Sequence, residues 1–569
     1  MLQRIAGIPQ SDRCWVPSTD MSAKQTVLVV AIDFGTTYSG YAFSFTSNKS
    51  DVKTHLWQTG IGQERSTKAP TSILFDQWKR FQAFGYEAET TYTSLSDEQQ
   101  SQFYFFKRFK MTLFQNKDLN QWTKMKDVSG KEMSAVDVFA AGIKYLRDHF
   151  YSILSSRVLR TKDTKWVLTV PAIWNEAAKQ FMRQAAVQAG ISSDCLTLAL
   201  EPEAAALYCK TNVPLGQFQS GSTFMIVDAG GGTVDVTVHK VRQAGKLQEV
   251  IPPSGGQWGG VKVDDAFQAF LLKVFGLAAI REMSKSKILQ LEREFEIVKR
   301  SFGRKATTSA TDIRIPYCLV RHLDPSKASR HSVRIRGDKL NVPFHVIEEF
   351  FKGPVRKIVA HVMELMDKPE VISVSDIYLV GGFSESQVLQ SDMKQTFPSI
   401  RVHTPREANS AVIKGAVSFG HDPNIIGWRK STCTYGISTC TNFDNTCHSR
   451  EKYTVIEGKE YCSDVFSKLI TIGTTIETGQ ATPFRSFRPI HKNQTGMTVE
   501  VVSSPSENPT YTTESGCRVL GRINVRMPNL TGDTDREVKV RMIMGGTELK
   551  VEAVDGNTGI SYSAKFDCL

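Results

Sequence analysis

Two stretches of this chain share one plan, in which a buried strand ends on an aspartate and is followed by a glycine turn, a threonine and a second strand. The first is VLVVAIDFGTTYSGYAFSF, with Asp33, and the second is MIVDAGGGTVDVTV, with Asp228. The apolar run Val27–Ile32 is typical of a strand that is buried on both faces. Two such copies, about 195 residues apart, predict an internally duplicated α/β architecture.

Helix and strand signals alternate between and after the two hairpins. Ser134–Asp137 resembles a capping box that opens an amphipathic helix, and Asn175 is placed to cap another helix. The segment Lys285–Gly303 carries apolar residues at spacings of three and four, which is one helical face. This alternation continues to about Phe419 and predicts one large α/β unit.

The pattern changes after His421, where short alternating strands are separated by turn signals. Thr498–Val502 and Leu549–Val554 are examples, and the turn Asp555–Gly559 follows the second of them. We therefore predict a flexible tail at residues 1–24, an α/β domain at 25–420, a linker at 421–431 and a β-rich domain at 432–569. We expect no long helical segment after the last strand.

The net charge of +12 comes from Lys and Arg residues that are interspersed with Asp and Glu. We find no nucleic-acid-binding motif and no long basic block, so we interpret the excess as solvated surface charge that also favours anionic ligands. No apolar run approaches the ~20 residues that span a bilayer, and the N-terminus lacks the apolar region of a secretory signal. We expect a cytoplasmic protein with no transmembrane segment and no nucleic-acid partner.

The glycine turns point to phosphate, because backbone N–H groups can approach phosphate oxygens where no side chain intervenes. The chain has no GxxxxGK[ST] sequence, and its GGG turn leads into a strand rather than the helix of a Rossmann fingerprint. One such hairpin is equally an ordinary turn. Two hairpins favour a phosphate site, because a carboxylate at the end of a buried strand needs a nearby cation. Asp33 and Asp228 facing each other can hold a hydrated Mg²⁺ against the β- and γ-phosphates.

Five motifs occur in order along the chain: DFGTTYSG, VPAIWNEAAKQ, LALEPEAAAL, IVDAGGGTVDVTV and LVGGFSES. Together they resemble the nucleotide-binding domain of the 70-kilodalton heat-shock proteins, within the actin–hexokinase–chaperone superfamily. KAPTSILF and FQAFGYEAE look most like the divergent heat-shock 70 kDa protein 12 branch (12A/12B). The resemblance is strong over residues 25–420 and weaker beyond. It implies a duplicated actin/hexokinase-like ATPase domain, followed by a reduced β-sandwich-like domain without a helical lid.

The resemblance also implies a role for each matching residue. The implied catalytic residues are Lys107, Glu201, Asp228, Asp33 and Thr233, of which Asp33, Glu201 and, through water, Asp228 would hold Mg²⁺. The implied nucleotide-binding residues are Gly35, Thr36, Thr37, Tyr38, Gly230, Gly231, Gly232, Gly260, Glu296, Lys299, Arg300, Gly381 and Gly382. Lys107, in FFKRF, matches the family's catalytic lysine, a cation for the transferring phosphoryl group, with Lys110 as the alternative. Asp235 lies on the same strand as Thr233, and its position fits a solvated strand residue as well as a further site residue.

The adenosine side matches the family less well. Phe383 and Glu385 stand where the family has a serine and an arginine that stacks on adenine. Gly303 replaces a small hydroxyl contact, and Arg406 replaces an acidic residue. Glu296 and the basic residues three and four positions on are equally a surface ion-pair set. The resemblance therefore supports phosphate binding more strongly than adenine selectivity.

The function implied by the resemblance is that of a stress-response chaperone. It would bind ATP or ADP, hydrolyse ATP slowly, and couple the nucleotide state to a polypeptide client or partner protein held by the β-rich domain. The departures at the adenosine side, and a linker that reads GHDPNIIGWRKS, keep open a nucleotide-regulated adaptor with little or no turnover. A small-molecule kinase of the same superfamily fits less well, because it gives no reason for a terminal β-domain.

Overall fold

The computed structural model describes residues 26–566, with gaps at 60–64, 117–118, 121, 155–162, 213–217, 304–309, 323–324, 528–533 and 546. The tail predicted at residues 1–24 lies outside the described residues. Across the described part of the chain, no helix is both long enough and apolar enough to cross a lipid bilayer.

The first large sheet is built around the first hairpin. From one edge to the other, its strands are Leu196–Leu200, Thr164–Val170, Leu28–Phe34, Tyr38–Phe45 and Lys53–Thr54, and Ala69–Pro70 also pairs with Tyr38–Phe45. The strand that ends in Asp33 and Phe34 is buried along its whole length, as its apolar run predicts. Two strands lie parallel on one side of it, and the hairpin arm lies antiparallel on the other.

The second large sheet is built around the second hairpin. Its strands, in spatial order, are Arg401–His403, Val374–Val380, Thr223–Ala229, Val234–Val241, Leu247–Gly256, Ile426–Lys430 and Thr475–Glu477. The first five repeat the order of the first sheet, with two parallel strands, the hairpin and one antiparallel strand. This shared order places Asp33 and Asp228 at equivalent ends of their strands.

Among the described residues, four smaller sheets extend the α/β part of the molecule. Their strands are Trp57–Gln58 with Arg65–Ser66; Phe81–Phe84, Ser72–Phe75 and Tyr104–Lys107; Lys124–Lys126 with Glu132–Ser134; and Thr311–Arg314, Lys339–Val342 and Arg334–Arg336. The strand Tyr104–Lys107 matters for the site, because the chain segment that follows it enters the space between the two large sheets.

The described helices pack on the sheets or on one another. They are Gly85–Ser94, Asp97–Gln102, Met111–Gln115, Ala135–Ile153, Glu176–Gln188, Glu201–Asn212, Val261–Glu282, Lys285–Ser301, Tyr317–Arg321, Pro325–Arg330, Phe344–Met366, Gln387–Thr396 and Ala411–His421. The Asn175 side chain caps its helix, as predicted. The helix expected after Ser134 is present, but the Ser134 side chain makes no capping hydrogen bond, so the capping box is not formed.

Two helices, Glu201–Asn212 and Ala411–His421, pack between the large sheets and join them in one apolar core. They cross closely at Gly415, where a Cβ atom would lie 1.7 Å from the Ala204 carbonyl oxygen. A side chain at Gly415 would therefore push the helices apart. The first of these helices begins at Glu201, so its packing also fixes a residue of the candidate site.

The β-rich part consists of two sheets that share one apolar core. The first contains Tyr453–Ile456, Lys459–Ile470, Thr434–Asn442, Gly496–Ser504 and Arg518–Arg526, and the second contains Arg485–Phe487, Val538–Gly545, Glu548–Asp555 and Ser561–Phe566. The strands expected at Thr498–Val502 and Leu549–Val554 lie within two of these.

The segment predicted as a linker contains the strand Ile426–Lys430, which lies between Leu247–Gly256 and Thr475–Glu477 in the second large sheet. Both oxygens of Glu203 accept hydrogen bonds from the Arg429 guanidinium at 2.7 Å, and both side chains are buried. The Lys430 N–H donates to Glu249. Burial and the neighbouring Glu203 carboxylate raise the pKa of Glu249 to about 8. This strand is therefore attached through a buried polar cluster as well as through sheet pairing.

We predict that Arg429→Met destabilises the folded chain by about 3–5 kcal/mol, because it leaves the Glu203 carboxylate buried without its partner. Urea unfolding measures the effect. The double variant Glu203→Gln with Arg429→Met should recover part of the loss, since it buries a neutral amide instead. Lys430→Met is the matched control and should cost less than about 1 kcal/mol. An Arg429→Met variant as stable as wild type would contradict this assignment.

Candidate functional site

The two hairpin turns face each other across a cavity of about 160 Å³ between the two large sheets. It is lined by nearly all the residues that the sequence assigns to the site: Asp33, Gly35, Thr36, Thr37, Tyr38, Glu201, Asp228, Gly230, Gly231, Gly232, Thr233, Gly260, Glu296, Lys299, Arg300, Gly381 and Gly382. Lys107 does not line this cavity, whereas Lys110 does.

Asp33 lies buried where the first hairpin turns. Its Oδ1 atom accepts a hydrogen bond from the Thr169 hydroxyl at 2.9 Å, and its Oδ2 atom lies 2.5 Å from the Lys68 ammonium. Burial opposes ionisation of Asp33, but the attraction of Lys68 and Lys110 outweighs burial and lowers the pKa of this carboxyl. Asp33 is therefore a charged carboxylate that already has a cationic partner.

The second turn approaches the first closely because its residues are glycines. A Cβ atom at Gly231 would lie 2.2 Å from Thr37 Oγ1, and one at Gly232 would lie 2.6 Å from Thr36 Oγ1. The carbonyls of the three glycines accept hydrogen bonds from the N–H groups of residues 259–261, at the start of the helix Val261–Glu282. Within the described residues, the N–H groups of Gly231 and Gly232 make no backbone hydrogen bond. These two donors suit phosphate oxygens.

Asp228 and Asp235 lie directly opposite each other in the second hairpin, and both are buried. Burial and the nearby carboxylates of Glu201, Asp235 and Asp33 raise the pKa of Asp228 well above its usual value. The Asp235 Oδ1 atom accepts the Ile173 N–H at 3.0 Å. Asp235 is therefore not a solvated strand residue, and it anchors the chain that leads into the helix Glu176–Gln188.

Lys110 supplies a buried cation on the far side of this carboxylate cluster. Its ammonium lies 2.8 Å from Glu201 Oε1 and 5.1 Å from the centre of the Trp174 ring. Burial raises the pKa of Glu201 to about 7, and Asp33 and Asp235 add to the rise, although Lys110 opposes it. The Lys110 position fits a cation that stabilises charge on a transferring phosphoryl group.

Lys107 points away from this cavity. Its ammonium pairs with Glu292 of the helix Lys285–Ser301, at the edge of a second cavity. Between the two lysines, Arg108 has a positive φ of 55° and the chain turns sharply. This turn sends two lysines three positions apart to different partners.

The helix Lys285–Ser301 places its polar face on the cavity. Lys299 pairs with Asp264 at 2.7 Å, and Arg300 pairs with Glu296 at 2.7 Å. The Arg300 guanidinium also lies 4.4 Å from the centre of the Tyr38 ring, so it bridges the two halves of the site. Glu296, Lys299 and Arg300 thus form an ion-pair set and line the cavity at the same time.

The departures from the family pattern separate into two groups. Phe383 is buried and Glu385 is half-buried, and both line the cavity. The Phe383 ring stacks with Phe351 at 6.4 Å, which makes one wall apolar. Gly303 lies beyond the helix end at a φ of +79°, and Arg406 is exposed; neither lines the cavity. Only the first group can alter how a base is held.

Lys68 lines the cavity but was absent from the sequence prediction. It is the first residue of KAPTSILF, a stretch that supports the family resemblance but in which no residue was assigned to the site. The polar groups that line the cavity fit the ligands that the family implies, which are ATP or ADP and Mg²⁺. Hard carboxylate oxygens suit Mg²⁺, which takes one or two protein ligands and completes its shell with water and phosphate. Within the described residues, no group of three or more His, Cys, Asp and Glu is arranged to hold a metal ion unaided.

Comparison with known proteins agrees with this geometry. The family model described as Hsp70 protein matches residues 93–423. The chain is 31% identical to human heat shock 70 kDa protein 12A, over 97% of the chain and 93% of that protein. It is 31% identical to human heat shock 70 kDa protein 12B, over 100% and 95%. The chaperone protein DnaK of Mycoplasma mobile is 26% identical, over 76% and 64%. The chain belongs to the Hsp70 family and resembles its 12A and 12B members over nearly its whole length.

Proposed function

We propose that this chain is a chaperone-like protein that binds ATP between its two large sheets and hydrolyses it slowly. The observation that carries the proposal is the single cavity into which both hairpin turns, the Glu201–Lys110 pair and the polar face of the helix Lys285–Ser301 all project. The repeated strand order supports a duplicated actin/hexokinase-like domain. A small-molecule kinase remains the weaker reading, because its fold needs no terminal β-domain.

In the proposed site, the backbone of both turns holds the β- and γ-phosphates. The N–H groups of Gly231 and Gly232 donate to phosphate oxygens from one side, and Thr36 and Thr37 approach from the other. When bound, Mg²⁺ would neutralise part of the phosphate charge. Asp33, Glu201 and, through water, Asp228 are the residues that would hold it.

Lys110 and Asp228 have the central roles in the proposed hydrolysis. The Lys110 ammonium stabilises negative charge on the transferring phosphoryl group. Asp228 orients the attacking water, because it is the carboxylate at the turn without a lysine within bonding distance among the described side chains. Turnover is slow in this proposal, since Glu201 and Asp33 are already engaged by lysines and contribute less to water activation.

A nucleotide-regulated adaptor with little or no turnover is the second candidate. Phe383 and Glu385 favour it, because they change the wall on which a base would rest without touching the phosphate turns. In this case, ATP binding alone would set the conformation that a partner protein recognises.

The β-rich part is proposed to hold a polypeptide partner as a sandwich-like domain without a helical lid. Its attachment supports coupling to the nucleotide site. Glu548 pairs with Arg183 at 2.5 Å, and the Thr547 hydroxyl donates to the Leu198 carbonyl at 2.7 Å. Both contacts reach the first large sheet or the helix beside it. A shift of that sheet on nucleotide binding would therefore act directly on the β-rich part.

We predict that Lys110→Met and Asp228→Asn bind ATP but hydrolyse it about 10²–10³ times more slowly than wild type. Lys110→Met removes the charge that acts on the phosphoryl group, and Asp228→Asn removes a carboxyl oxygen that orients the attacking water. Single-turnover hydrolysis, with ATP binding measured separately by calorimetry, tests this expectation.

Lys107→Met is the matched comparison, because it removes the same side chain three positions away and outside the cavity. We expect its turnover to stay close to that of wild type. A loss in Lys107→Met with none in Lys110→Met would reverse the assignment. Wild-type protein that binds ATP without any turnover would support the adaptor, and absence of ATP binding would refute both candidates.

We predict that Glu385→Arg tightens ATP binding by about tenfold, since a guanidinium in this wall can stack on adenine. Titration with ATP and with inorganic triphosphate measures the gain. Triphosphate binding should change less, because it has no base to stack. Arg406→Ala, on the exposed side of the same region, is the control. Equal gains for ATP and triphosphate would show that charge, and not stacking, is responsible.

A further inference from the structure

Lys68 brings a cation of the chain itself into the phosphate half of the cavity. Its ammonium lies 2.5 Å from Asp33 Oδ2, and the side chains of Lys68 and Asp33 are 17% and 6% exposed. The Lys68 charge also acts on Asp228 across the cavity. Lys68 thus lies at the place where the two hairpin carboxylates come together.

The first hairpin holds this lysine in a defined position. Asp33 lies directly opposite Gly40 in the strand register, and the short strand Ala69–Pro70 pairs with the start of the Gly40 strand. A Cβ atom at Gly40 would lie 2.8 Å from the Thr67 carbonyl oxygen and 3.3 Å from Lys68 Cγ. The Lys68 side chain therefore lies over a residue without a side chain and reaches the carboxylate on the other arm.

This arrangement changes the balance of charge that a triphosphate meets. Mg²⁺ is usually held by one or two carboxylates together with water and phosphate. At Asp33, such an ion must compete with a tethered ammonium that makes a charge-assisted hydrogen bond. The Lys68 ammonium has three N–H donors, so a phosphate oxygen can accept from one of them while Asp33 keeps another, and a lysine binds phosphate readily as a point charge.

On the premise that the chain binds ATP as proposed above, we propose that Lys68 is a phosphate-binding residue that supplies charge compensation otherwise provided by Mg²⁺. An entering β- or γ-phosphate oxygen accepts a hydrogen bond from the Lys68 ammonium, while Lys110 remains paired with Glu201. ATP is then held with only weak dependence on a divalent metal ion. No bond is made or broken in this step, and the readout is affinity.

The test is calorimetric titration of the full chain with ATP, once with excess Mg²⁺ and once with excess EDTA. For wild type, we expect EDTA to weaken binding by no more than about tenfold. For Lys68→Met, which keeps the length of the side chain and removes its charge, we expect EDTA to weaken binding by about a hundredfold or more. These sizes follow from the loss of one charge-assisted hydrogen bond.

Two further variants separate charge from packing. Lys68→Arg keeps a cation and should retain the weak dependence on metal. Lys144→Met, on the exposed face of the helix Ala135–Ile153, removes a lysine charge outside the cavity and should behave as wild type. Far-UV circular dichroism and the urea midpoint establish that each variant is folded.

The outcomes distinguish this inference from the proposed function. If EDTA weakens wild-type binding by a hundredfold or more, the inference is overturned without any variant. It is also overturned if Lys68→Met and wild type lose the same factor in EDTA. If wild type binds no ATP even with excess Mg²⁺, the proposed function fails and this inference fails with it.

Discussion

The structure depends on accommodating four carboxyl groups in one buried space, where burial and mutual repulsion both oppose their ionisation. Asp33, Asp228, Glu201 and Asp235 all lie near the ends of the two central hairpins and are largely or fully screened from water. A cluster of this kind repels itself, because each additional negative charge raises the pKa values of the others. Two lysines, Lys68 and Lys110, offset part of this repulsion. The Lys68–Asp33 and Lys110–Glu201 pairs are therefore part of what allows these carboxylates to lie together away from water.

Much of the fold follows from local sequence patterns. The two hairpins were predictable, because a strand buried on both faces has a continuous apolar sequence and the glycines of its turn follow directly in the chain. The helix at residues 285–301 was predictable from its apolar spacing, and Leu291 and Phe295 are indeed buried. The two hairpins predicted a duplication, whereas the strand order that the two sheets share became visible only with the long-range pairing. Non-local pairing of this kind leaves no periodic signal in the chain.

The candidate site was predictable where glycine turns form it, and it was not predictable where side chains from other segments enter the cavity. The glycines at 230–232 were identified because their absence of side chains is itself the signal. Lys107 and Lys110 could not be separated by spacing, because the positive φ of Arg108 decides which of them enters the cavity. Lys68 could not be found at all, since its approach to Asp33 depends on the empty position at Gly40. Lysines that reach such a site only through long-range strand pairing or an unusual backbone conformation are thus the residues that the sequence alone does not identify.

The first turn of the helix Glu201–Asn212 contacts both the cavity and the strand that leads to the β-rich part. Glu201 pairs with Lys110 at the cavity, and two residues later Glu203 pairs with Arg429 in the strand that leads toward residue 432. Both pairs are buried, so neither carboxylate can be released without a new partner or a proton. A change in the charge around Glu201 must therefore be accommodated within the first turn of the helix Glu201–Asn212. Since Gly415 leaves no room between this helix and its neighbour, rotation of the whole turn is restricted. If the chain binds ATP as proposed, the start of this helix, with a charged pair at Glu201 and another at Glu203, is the physical link that we propose between the nucleotide site and the β-rich part.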